Sequence, residues 1–167
     1  MFTTSSNTLS QREKKLIVAL QQAKVRRTEG LFVAEGPKLI GELLATFPCR
    51  LLVTTASFLP LVESLGQIQR VVLLPEGYDF SSLSTLRTPR PMIALLELPT
   101  PPSTSTITAP SLLLDNVQDP GNVGSILRTA DWFGCRTVFT TEGTADPFSP
   151  KVVQATMGAL ARVKVTP

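Results

Sequence analysis

The chain has 167 residues, 43% hydrophobic and 17% charged, with a formal net charge of +3. That length is enough for one large or two small domains with a true core, and the composition excludes a disordered or low-complexity polymer. Histidine is absent, which excludes Ser-His and Cys-His nucleophile pairs and histidine-ligated metal sites.

Residues 1–8 have neither a basic n-region nor an apolar h-region, so they are read as a frayed tail and not as a secretory signal. No run reaches the roughly 20 apolar residues of a membrane helix, and no membrane partner is expected. Cys49 and Cys135 lie far apart without metal-type spacing. Two such thiols without an export signal read as reduced and buried in a cytoplasmic protein, and no metal site is expected. Residues 1–50 hold eight Lys or Arg against four Asp or Glu. A basic start on a near-neutral body points to a polyanion partner, weighed against a merely solvated helix face.

Ser10 and Glu13 form a capping box that opens the first helix. Leu16, Ile17, Ala19, Leu20 and Ala23 mark its inner face. Arg12, Lys14, Lys15 and Lys24 fall outside or at the margins, Arg26 and Arg27 follow at its end, and Gly30 stops it. Residues 31–34 make a short strand, and Pro37 leads into a helix over 39–45. The alternation repeats with strands at 51–55, 68–74 and 92–98 and short helices at 58–65 and 80–86. Helices alternating with strands predict an α/β layered domain over residues 1–98.

Residues 99–110 are rich in Pro, Ser and Thr and read as an extended linker. A second α/β domain is expected over 111–167. A short buried strand, 112–115, meets a turn at Asp119-Pro120-Gly121-Asn122, and a helix runs to about Phe133 before Gly134. Val123, Ile126, Leu127, Ala130 and Phe133 share its inner face, while Arg128 projects on the side of Ser125 and Trp132. A strand follows at 137–140. Ser149 and Pro150 open a helix to about Ala161, and a third strand starts at 163. Three strands and two helices make half of a doubly wound domain.

The string Asn116-x-x-Asp119-Pro120-x-Asn122-x-Gly124-x-x-x-Arg128-Thr129-Ala130 resembles the first signature motif of the SpoU/TrmH family of RNA 2′-O-ribose methyltransferases. The segment Asp146-Pro-Phe-Ser-Pro-Lys-Val-Val-Gln-Ala-Thr-Met-Gly-Ala159 resembles the family's stretch after its second strand. Lys24-x-Arg26-Arg27-x-Glu29-Gly30-x-Phe32-x-x-Glu35-Gly36 is similar to the start of the substrate-binding domain that precedes many SpoU catalytic domains. The resemblance covers nearly the whole chain. It implies an N-terminal L30e-like domain that binds structured RNA, followed by the first half of a SPOUT α/β-knot methyltransferase domain.

By the same resemblance, Asn122 and Arg128 are catalytic, and Asn116, Asp119 and Gly124 support the motif loop. Arg12, Lys14, Lys15, Lys24, Arg26 and Arg27 are the candidate RNA contacts. The implied cofactor is S-adenosylmethionine, the implied substrate rRNA or tRNA, with rRNA favoured, and the implied assembly of the full-length protein a homodimer. The family's later motifs, which form the knot and most of the cofactor pocket, do not occur in this chain. It is therefore expected to be a truncation or a self-associating half domain, with no cofactor-binding residue identifiable in it and with catalysis dependent on further sequence. Two other readings stay open: a non-catalytic RNA-binding module, and a nucleotide-binding α/β protein in which Gly121 and Gly124 cradle phosphate. The second lacks the glycine fingerprint and the P-loop lysine.

Overall fold

The structure, a computed structural model, describes residues 4–61, 67–100 and 110–166. It divides into two compact units, Met1–Leu98 and Pro99–Pro167. The part of the linker at 101–109 and the end of the expected helix at 62–65 lie outside the described residues.

In unit 1, β1 (Thr4–Ser6), β2 (Leu31–Glu35), β3 (Cys49–Thr55), β4 (Arg70–Leu74) and β5 (Met92–Glu97) form one sheet in the order β1-β4-β3-β5-β2. β5 pairs antiparallel with β2 and β3, whereas β4 pairs parallel with β3 and β1. The N-terminal segment is thus not simply a frayed tail: Thr4–Ser6 adds an edge strand opposite Arg70–Val72. Nothing in a Thr/Ser run announces pairing, because an edge strand is fixed by its partner's open hydrogen bonds and not by its own hydrophobicity.

The sheet is buried on both faces, which is why β2 and β3 read as apolar runs without alternation. One face gathers Leu31, Val33, Leu51, Val53, Val72, Leu74, Ile93 and Leu95 with Ile17 and Leu20 of the N-terminal helices. Phe32 points to the other face and meets Phe47 edge to face at 5.2 Å, beyond α3 (Pro37–Leu43), whose Leu39, Ile40 and Leu43 are buried. Cys49 lies in this core, and burial pushes its thiol up to about 12.

The first helix is in fact two, α1 (Gln11–Ala19) and α2 (Ala23–Glu29). Ser10 and Glu13 do close the capping box. The break has a physical cause. The Arg26 guanidinium, 2% exposed, donates to the carbonyls of Leu20 and Gln21 at 2.8 and 2.7 Å, holding the end of α1 open as a turn. The expected helices at 58–65 and 80–86 are 3-10 turns at Ala56–Leu61 and Phe80–Ser82, the first with a proline inside.

Unit 2 has a parallel sheet, β6 (Ser111–Leu114), β7 (Thr137–Thr140) and β8 (Lys164–Thr166), with α4 (Pro120–Trp132) and α5 (Pro150–Thr156). Gly134 takes φ +73 after α4. Three expectations are corrected. β6 is not buried, because it is an edge strand on which Leu113 is 65% exposed among the described residues. Phe133 is not on the inner face of α4: it lies past the last helical residue and is 77% exposed. The last helix does not reach Ala161, because Met157 and Gly158 both adopt left-handed backbone and a 3-10 turn, Ala159–Ala161, follows. Among the described residues, no helix is long and apolar enough to cross a membrane.

Candidate active site

Unit 2 delivers a polar loop from the C-terminal end of β6 to the N-terminus of α4, the place where open parallel sheets put their ligands. Asp119 caps the helix, its Oδ1 accepting the Asn122 N–H at 2.7 Å, and Pro120 fills the first helical position where no N–H is required. The preceding residues are laced to the loop after β7. The Thr141 hydroxyl donates to Asp115 Oδ1 at 2.7 Å and accepts the Asn116 N–H at 3.1 Å. The Thr144 hydroxyl donates to the Leu114 carbonyl at 3.0 Å and accepts the Val117 N–H at 3.3 Å.

Asn116 supports the loop through its backbone turn and a side-chain contact. It takes φ +53, a left-handed turn that asparagine tolerates, and its Oδ1 accepts from Gln118 Nε2 at 3.2 Å. Gly143 comes so close that a Cβ on it would stand 2.7 Å from that same oxygen. Gly124 lies within α4 and not in the loop, with its Cα against Ala155 of α5. It is a packing glycine, and it offers no backbone cradle to a phosphate.

Arg128 lines a groove of about 650 Å³ between α4 and the α5 side of the unit. Ser125, Thr129, Thr156, Trp132, Met157 and Arg162 also line it, with the Thr129 and Thr156 hydroxyls donating to the Ser125 and Val153 carbonyls at 3.0 and 2.7 Å. Arg128 is exposed and pairs with no carboxylate among the described residues. Asp131, the groove's acid, is occupied twice: Arg162 Nε meets its Oδ2 at 2.8 Å and Arg136 pairs with its Oδ1. The groove is therefore left with a positive charge that no carboxylate answers, a setting suited to phosphate. Trp132, 85% exposed, adds a flat apolar wall. Arg162 and Trp132 were not singled out from the sequence as site residues, since neither falls in the motif's fixed positions.

Asn122 is exposed in the first turn of α4 and does not line this groove. It precedes Arg128 by about 9 Å along the helix axis. In unit 1, Arg12, Lys15, Lys24 and Arg27 are exposed and Lys14 is half-buried. Arg26 is not a surface cation. Among the described residues, no group of three or more His, Cys, Asp or Glu could hold a metal ion.

Two family models match the chain. An MRM3-like substrate binding domain covers residues 12–94, and the SpoU rRNA Methylase family covers 109–167. Residues 109–167 belong to the SpoU rRNA Methylase family. Over 92% of its length it is 31% identical to the mitochondrial rRNA methyltransferase 3 of Xenopus laevis. Over 87% it is 32% identical to the 23S rRNA (guanosine(2553)-2'-O)-methyltransferase of Bacillus subtilis. A TrmH-family protein of Porphyromonas gingivalis superimposes on 96% of the chain with a TM-score of 0.90 and 52% identity, the chain covering 63% of it. A Sinorhizobium meliloti rRNA methyltransferase solved with S-adenosylmethionine bound matches 98% of the chain and 64% of its own length, at 28% identity and TM-score 0.77. The chain spans 39% of the length of the Xenopus relative and 58% of the Bacillus one.

Proposed function

We propose that this chain is the substrate-reading unit and the first half of the catalytic unit of an S-adenosylmethionine-dependent rRNA 2′-O-ribose methyltransferase. The observation that carries this reading is Arg128, set at the family's motif position and lining a groove without a counter-ion. Relatives that methylate rRNA match both units of the chain.

A ribose hydroxyl is a poor nucleophile near neutral pH and must lose its proton during attack. A guanidinium is effectively always protonated, so Arg128 serves by holding the adjacent phosphate and stabilising the developing alkoxide, and not as an ordinary base. Arg162, which lines the same groove and is anchored by Asp131, supports the same phosphate orientation. S-adenosylmethionine carries a cationic sulfonium, which this groove does not fit: its acid is already paired and its free side chain is cationic. The chain's own contribution is orientation of the RNA.

The five-stranded sheet with helices on both faces supports an L30e-like reading of unit 1. The reading also takes the full-length protein as a cytoplasmic homodimer.

The test is methyl transfer to 23S rRNA by the full-length enzyme. Arg128→Ala should lower turnover by about 10²–10³-fold, the usual scale for loss of one electrostatic stabiliser, while RNA affinity stays within about twofold. Unchanged turnover would remove Arg128 from the mechanism. The cationic groove also favours a narrower reading, in which these 167 residues alone bind RNA and catalyse nothing. Calorimetry of this chain with S-adenosylmethionine separates the two: one-to-one binding would overturn the narrower reading.

A further inference from the structure

Glu35 is a charged side chain sunk at the end of a fully buried strand, 3% exposed, and it is not solvated. Its Oε1 accepts the Thr85 N–H and the Thr85 hydroxyl, both at 2.8 Å, and its Oε2 accepts the Ser84 hydroxyl. A buried carboxylate is tolerated only when such donors replace its water. These donors come from a segment some 50 residues away, which has no helix or strand of its own between the 3-10 turn at Phe80–Ser82 and β5. The same segment is tied at its other end, where Thr54 Oγ1 donates to the Pro91 carbonyl at 3.2 Å and the Gly36 N–H donates to the Met92 carbonyl at 2.9 Å.

Between those ties stand Arg87 and Arg90, both exposed. Arg90 packs over Gly36, its Cγ 3.5 Å from where a Cβ would stand. Lys38, also exposed, follows two residues later at the start of α3. None of the three pairs with a carboxylate among the described residues, and Glu35, at the end of β2, is engaged by Ser84 and Thr85. The fold thus ties down both ends of the segment that carries Arg87 and Arg90, and sets Arg90 beside the turn that leads to Lys38.

We propose that Lys38, Arg87 and Arg90 form the phosphate-backbone contact of unit 1 with structured RNA, and that Glu35 is the positioning residue that fixes this surface. The inference rests on the RNA reading above and assigns it a surface other than the α1–α2 face. The preceding Arg26 result favours it, since that face loses one expected cation to helix capping.

The test is binding of a labelled 23S rRNA transcript to the full chain across a series of salt concentrations. Lys38→Glu, Arg87→Glu and Arg90→Glu are combined in one variant, and Lys15→Glu, Lys24→Glu and Arg27→Glu in a second. The first should weaken binding more than tenfold and lower the log–log salt slope by about 2, at roughly 0.7–0.9 per lost phosphate contact. The second should change affinity less than threefold. An unchanged slope and affinity in the first variant, with steep salt-dependent binding by the parent chain, would overturn this surface and leave the RNA reading standing. A parent chain that does not bind the transcript would overturn both.

The role of Glu35 is tested from the loop side, where Thr85 is exposed, Ser84 is half-buried and the apolar core is untouched. Ser84→Ala with Thr85→Val, which keeps all three cations but removes two donors, should weaken binding three- to tenfold with a reduced salt slope. Ser84→Thr with Thr85→Ser, which keeps both hydroxyls, should restore it. Parental binding by the Ala/Val variant would remove Glu35 from the recognition surface.

Discussion

Gly124 of α4 and Ala155 of α5 meet where the two helices cross, and a Cβ on Gly124 would lie 2.3 Å from the Ala155 methyl. No real pair of carbons sits that close, so the helices would have to separate. Their spacing sets the width of the groove that Arg128 and Arg162 share. Gly124→Ala is expected to destabilise unit 2 by about 1–3 kcal/mol through overpacking, read as a lower urea midpoint. A parental midpoint would mean that the crossing relaxes freely.

Arg26 is buried and commits its guanidinium to two backbone carbonyls. Arg26→Ala leaves the Leu20 and Gln21 carbonyls without their donor in a mostly buried setting. The expected cost is about 1–3 kcal/mol for the unsatisfied groups. Thermal denaturation should report that loss, and the salt slope for RNA binding should not move. A changed slope with parental stability would return Arg26 to the RNA surface.

Asp131 anchors Arg162 at the groove wall. In the full-length enzyme, Asp131→Ala should release that guanidinium and lower kcat/KM for methyl transfer about tenfold, equivalent to about 1.4 kcal/mol. Asp131→Glu should recover part of it. Identical kcat/KM for all three proteins would separate Arg162 from the chemistry.

The Cys49 thiol, raised from an ordinary 9.0 to about 12 by burial, should resist iodoacetamide in the folded chain at pH 8 and react once urea unfolds it. Mass spectrometry of labelled peptides gives the answer. The native state keeps a proton that the unfolded chain sheds above about pH 9, so this group's contribution to stability is whole below that pH and falls as pH rises toward 12. Rapid native labelling of Cys49 would contradict its burial.

Much of this protein is determined by the sequence read alone. The capping box at Ser10 and Glu13, the turn chemistry at Asp119 and Pro120, and the apolar runs of β2, β3 and β5 act locally, through backbone and side-chain preferences that need no distant partner. The motif from Asn116 to Ala130 carried the family for the same reason: its fixed residues sit within one loop and one helix. What the tertiary structure decided depends on groups far apart in the chain. Thr4–Ser6 became a strand because β4 had an open edge, and Arg26 turned inward because a broken helix offered it two carbonyls. Gly124 proved to be a contact between helices through a residue 31 positions away, Ala155. Glu35, in the sequence only a fixed letter of the N-terminal motif, proved to hold a basic loop some 50 residues downstream. Local propensity cannot encode such pairings, because their energy exists only once the chain has closed on itself.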